Sequence, residues 1–105
     1  MEMEQTRSRF AVEHLESFLW EVHCLVDGGF EEDQIRLLQA TAEVMRIDSS
    51  KSFEFPVRFN GSKTLLAVTL FMGDNEIPEV TFLTHPNLAR AIGEQAVLFF
   101  QEITR

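Results

Sequence analysis

Residues 52–63, SFEFPVRFNGSK, constrain this chain more than any other stretch. Phe53, Phe55, Val57 and Phe59 alternate with Glu54, Pro56 and Arg58. A side-chain period of two belongs to a strand with one apolar and one polar face. Asn60-Gly61 follows, and both residues tolerate the positive φ of a tight hairpin turn. Thr64 to Met72 reads as the returning strand. Its two faces, Leu66/Val68/Leu70/Met72 and Leu65/Ala67/Thr69/Phe71, are both largely apolar, which places it at the centre of a sheet. Gly73-Asp74-Asn75-Glu76 makes the next turn, and Ile77 to Thr84 is a third strand with Val80 and Phe82 on one face. Pro56 and Pro78 fall in the first and third strands and none falls in the second. Proline cannot donate to a ladder and belongs on edges, so the pattern predicts a meander in the order 1-2-3 with both edges blunted.

Elsewhere the period is 3.6. Ala11, Leu15, Phe18, Val22 and Leu25, widened by Val12, Leu19 and Val26, predict a core-facing helix over residues 8–27. Asp27-Gly28-Gly29 ends it. A second helix opens at Phe30-Glu31-Glu32-Asp33, with acids where the helix dipole favours them. Phe30 and Ile35 have hydrophobic-staple spacing if Glu31 is the cap. Ile35, Leu38, Ala42 and Met45 form its stripe, and Asp48-Ser49-Ser50 stops it. These two helices pair as an antiparallel hairpin. A last helix follows Thr84-His85-Pro86-Asn87 over residues 86–104, with Leu88, Ile92, Phe99 and Ile103 as its stripe and Ala96 and Phe100 beside it.

The expected architecture is α+β in the order ααβββα. A three-stranded antiparallel meander packs against an N-terminal helical hairpin and a C-terminal helix, in a single domain of 105 residues. Helices cover the Phe-lined sheet face. The opposite face presents Leu65, Ala67, Thr69 and Phe71, flanked by Glu54, Arg58 and either Thr81 or Glu79. That centre is too apolar to be left wet, so either the last helix crosses to cover it or another chain does.

Charge and cysteine usage narrow the functional classes. The net charge is -8. Residues 1–52 hold eleven acids and five bases, against six and four in residues 53–105, so the acidity belongs mainly to the first half. A phosphate backbone or an anionic membrane surface is repelled, while a basic partner is favoured. Acidic density in the first two helices also raises mimicry of a nucleic acid. Cys24 is the sole cysteine, so no internal disulfide forms, and the charged MEMEQTRSR start lacks the apolar core of a signal peptide. The expected compartment is the cytoplasm.

Catalytic sets are not found. His14 and His23 are nine residues apart, on opposite sides of a helix, and cannot share a metal. Cys24 lies late in its helix, away from the N-terminus that would activate a thiol. Residues 77–87 resemble, over about a tenth of the chain, the signature of ubiquitin-conjugating enzymes: a proline, alternating apolar residues, then His-Pro-Asn. That family's spacer before the triplet is missing and no cysteine follows it, so neither the family nor its catalysis is assigned. No catalytic residue, metal or cofactor is expected.

Two other positions stand out. Trp20, with Cys24 one turn on, lies off the apolar stripe and is a candidate partner anchor unless the last helix or a loop packs on it. His85 and Asn87 sit at the strand–helix junction, either as capping groups or as part of a small pocket. The expected function is a non-enzymatic protein-binding or regulatory module, of inhibitor, immunity or chaperone type. It is expected to self-associate as a homodimer through Leu65, Ala67, Thr69 and Phe71 or through Trp20 and Cys24. The alternatives are a small-molecule-binding protein or modest enzyme around His85, and an acidic nucleic-acid mimic.

Overall fold

The computed structural model describes residues 2–104. Its elements run β1 (Glu4–Arg9), α1 (Val12–His23), α2 (Glu32–Val44), β2 (Ser49–Phe59), β3 (Ser62–Met72), β4 (Pro78–Thr84) and α3 (Pro86–Ile103). The strands form one antiparallel sheet in the order β1-β4-β3-β2. The fold is therefore α+β, as expected, but the sheet has four strands rather than three.

The extra strand lies at the N-terminus. Residues 4–9 read EQTRSR and contain no apolar side chain, so no hydrophobic alternation marks them. Backbone pairing holds them instead, from Glu4 opposite Thr84 to Arg9 opposite Glu79. The expected helix over residues 8–27 is correspondingly shorter. It begins only after Phe10, a fully buried ring that packs tilted against Phe18 at 4.4 Å between centroids. It ends at His23 because tighter turns follow, with Leu25 N donating to the Val22 carbonyl at 3.0 Å. Gly28 and Gly29 then reverse the chain with φ of 138° and 92°.

The third expected strand is not an edge. β4 pairs with β3 on one side and β1 on the other. Pro78 is tolerated there because it is the first residue of β4. Its ring nitrogen falls beyond the end of β1, while its carbonyl still accepts from Phe10 N at 3.4 Å. Pro56, by contrast, does lie on an edge strand. The hairpin turn is as expected, with Asn60 at φ 51° and Gly61 at φ 77°.

The helices share one side of the sheet. Leu15, Phe18, Leu19 and Val22 of α1, Ile35 and Leu38 of α2, and Leu88, Ile92 and Phe99 of α3 join one buried cluster with Phe55, Val57, Leu66, Val68, Leu70, Val80 and Phe82. Burying each of these large side chains contributes about 1.5–3 kcal/mol before entropy is counted. The start of α2 follows its sequence signal: Glu31 N donates to Gln34 Oε1 at 2.8 Å, and Phe30 and Ile35 are both fully buried. α3 does not cross the sheet. It lies over β1, close enough that a Cβ on Gly93 would stand 3.2 Å from Thr6 Oγ1.

Candidate functional site: the uncovered sheet face

Alternation and register fix what the other side of the sheet displays. Leu65, Ala67, Thr69 and Phe71 all point there from β3, so the sequence-predicted group stays together. Cross-strand rows extend it. Ala67 is flanked by Glu54 and Leu83, Thr69 by Ser52 and Thr81, and Phe71 by Ser50 and Glu79. β1 closes the rows with Gln5, Arg7 and Arg9.

Phe71 and Leu83 are each 39% exposed, although both sit inside a four-stranded sheet. Leu65, Ala67, Thr69 and Thr81 are half-buried by their neighbours. Ser52 Oγ and Thr69 Oγ1 satisfy each other at 3.0 Å. Among the described residues no helix lies over this face. Leu83 is the residue that sequence reasoning missed. The same period of two that sets Thr81 or Glu79 beside this face extends to Leu83 and carries its signal.

The rim of the face is charged. Arg7, Arg9, Arg58 and Lys63 point to this side, with Glu54 and Glu79 between them. Glu79 is shared: its Oε1 lies 3.3 Å from Arg7 Nε and its Oε2 3.1 Å from Arg9 Nη2. The face thus holds four bases and two acids in a chain of net charge -8, which leaves -10 on everything else. The acidity read from the sequence belongs to the helical side and the loops.

The other predicted positions lie elsewhere. Trp20 is on α1, on the helical side, 38% exposed and edge-on to His23 at 5.2 Å. His23 Nδ1 is itself engaged by the Phe30 carbonyl at 2.7 Å. Cys24 caps the C-terminus of α1 and is exposed. Trp20 and Cys24 therefore form a surface separate from the sheet face.

His85 is the N-cap of α3, and its Nδ1 accepts from Asn87 N at 3.1 Å. With Lys63, Thr64, Asn60 and Phe59, these two residues line a cleft of about 380 Å³. Thr64 Oγ1 is buried there without a hydrogen-bond partner among the described residues. No group of three or more His, Cys, Asp or Glu side chains is placed to hold a metal ion among the described residues. No described helix is long and apolar enough to cross a membrane.

No family model matches this chain, and no curated protein or solved structure matches it either.

Proposed function

We propose that this chain is a non-catalytic protein-binding module that self-associates through the open face of its sheet. One observation carries the reading: all three helices pack on one side, and the other side leaves Leu65, Ala67, Phe71 and Leu83 uncovered. Apolar surface gathered at the centre of a charged rim is the composition of an interface, not of a solvated sheet.

A second copy suits this face for two reasons. The first is size. β2 and β3 are 11 residues long, β4 is 7 and β1 is 6. At about 3.4 Å per residue and about 4.8 Å per strand, the face spans roughly 570 Å². Two copies would bury about 1,100 Å², which just clears the lower bound of a specific interface and describes a weak, concentration-dependent dimer. The second is charge. Sheet-to-sheet contact keeps the two acidic helical layers apart, whereas any other pairing of identical copies brings them closer. A basic partner would meet the helical layer instead.

Sedimentation equilibrium on Phe71→Glu and Trp20→Glu tests the assignment. Phe71→Glu should abolish the dimer and Trp20→Glu should leave it intact. The reverse pattern would move the interface to α1.

A second reading has its own observation. The unpartnered Thr64 hydroxyl lines the cleft beside Lys63, His85 and Asn87, a set that suits a small polar ligand. A thermal-shift screen against small acids should then give hits that Lys63→Ala removes; a screen with no hits would end this reading.

A further inference from the structure

The two edges of the sheet are treated differently. In an antiparallel ladder, residues alternate between those bonded to the neighbouring strand and those whose N–H and C=O point away. On β2, Arg58 fixes the phase, because both its backbone groups point outward. Its N–H donates to the Gly28 carbonyl at 3.0 Å, and its carbonyl accepts from Asp27 N at 2.7 Å. The α1–α2 loop thus occupies that edge, and Pro56, two residues away, has no donor to offer. The Pro56–Arg58 end of the β2 edge is thus closed, while the outward backbone groups of Ser50, Ser52 and Glu54 lie on exposed residues.

On β1, Phe10 fixes the phase. Its N–H donates to the Pro78 carbonyl, so Ser8–Val80, Thr6–Phe82 and Glu4–Thr84 are the bonded pairs. The N–H and C=O of Gln5, Arg7 and Arg9 therefore point away from the sheet. Among the described residues, no turn, loop or side chain hydrogen-bonds to them.

This open edge lines a groove of about 360 Å³. One wall is β1. The other is α3, through Gly93, Ala96, Val97 and Phe100. Val97 is 57% exposed and Phe100 38%, an apolar lip level with a row of free backbone groups. The absence of a side chain at Gly93 lets α3 approach β1.

We propose that this groove binds an extended segment of another protein, which adds beside β1 as a fifth strand and alternates apolar with acidic residues. Main-chain hydrogen bonds to Gln5, Arg7 and Arg9 supply the pairing. Residues facing the helical side rest on Val97 and Phe100. Residues facing the other side meet Arg7 and Arg9, two guanidinium groups that share the single carboxylate of Glu79 and keep 58% and 66% of their side-chain surface exposed. A carboxylate beside them completes the charge balance. A second copy of β1 fits poorly: EQTRSR would set Thr6 and Ser8 on the apolar lip and bring further arginines to the same place. The groove shares Arg7 and Arg9 with the rim of the open sheet face but not its apolar centre at Phe71 and Leu83, so peptide binding and self-association are tested by different variants.

The test is an NMR titration with a capped seven-residue peptide alternating valine and glutamate. The expected result is saturable shifts at the amides of Gln5, Arg7 and Arg9 and at Val97, with those three amides gaining protection from hydrogen exchange. Replacing glutamate by lysine should weaken binding at least tenfold. So should N-methylation of the peptide at the residues that pair with β1, a change that leaves the protein untouched. Arg7→Pro should do the same while melting close to the parent, because residue 7 gives no N–H to β4. Equal binding of the glutamate and lysine peptides, shifts confined to Phe71 and Leu83, or no shifts at millimolar peptide would overturn the proposal.

Discussion

Gly29 holds the loop that covers the Arg58 end of the β2 edge, and substituting it has a calculable cost. Its φ of 92° lies where side chains are disfavoured. A Cβ there would overlap the Pro56 carbonyl oxygen and stand 2.8 Å from Val57 Cα. Both are backbone atoms of an edge strand, so neither can swing aside as a flexible side chain would. Gly29→Ala therefore incurs about 1–2 kcal/mol of backbone strain. It also displaces the loop and its two hydrogen bonds to Arg58, each worth about 0.5–1.5 kcal/mol net. The total is about 2–5 kcal/mol, a large share of the roughly 5–15 kcal/mol that holds a domain together. Gly28→Ala is the control: its φ is 138°, but a Cβ would meet nothing within 4 Å. It should cost only the strain, about 1–2 kcal/mol. Urea unfolding followed by Trp20 fluorescence measures both, with an unchanged m-value expected. If Gly29→Ala comes within about 0.5 kcal/mol of Gly28→Ala, the close crossing of loop and strand is wrong.

Three further outcomes follow from the packing. Phe18→Ala removes a fully buried ring that meets Phe10, Phe82 and Phe99, and should lose about 3–5 kcal/mol by thermal or chemical unfolding. His85→Ala removes the N-cap of α3 and should lower stability by about 1 kcal/mol in the same assay, with His85→Asn restoring most of it. Deleting residues 1–9 strips β1 from β4 and should destabilise the domain and raise its aggregation on heating, measured by light scatter, because the interior edge of β4 is then bare.

The parts that were legible in the sequence are those where side chains report their environment. The β2–β3 hairpin shows itself through Phe alternation and Asn60-Gly61, and α3 through Leu88, Ile92, Ala96 and Phe99. The two-sided apolar character of β3 announced that both sheet faces needed an explanation, and Leu65 to Phe71 fell on the side expected. β1 was hidden because its inward residues, Glu4, Thr6 and Ser8, are polar; backbone pairing to β4 and ion pairs from Arg7 and Arg9 to Glu79 and from Glu4 to Arg90 hold it without an apolar signal. Without β1, Pro78 looked like an edge signal; its position as first residue of β4 removes the conflict. The location of the acidity was also hidden, since chain halves do not correspond to faces: Arg7 and Arg9 come from the acidic half yet join Arg58 and Lys63 on the sheet side.

The central claim, self-association through the uncovered sheet face, meets its most direct test in the solution mass of the untagged protein. Light scattering behind a sizing column should run from about 1 µM to about 500 µM, bracketing the affinity that an interface of about 1,100 Å² allows. The mass should rise from 12.1 kDa toward twice that value with concentration, and Phe71→Glu should stay at the monomer value throughout. A parent protein that remains at 12.1 kDa across the range, or a Phe71→Glu variant that dimerises as the parent does, would contradict it.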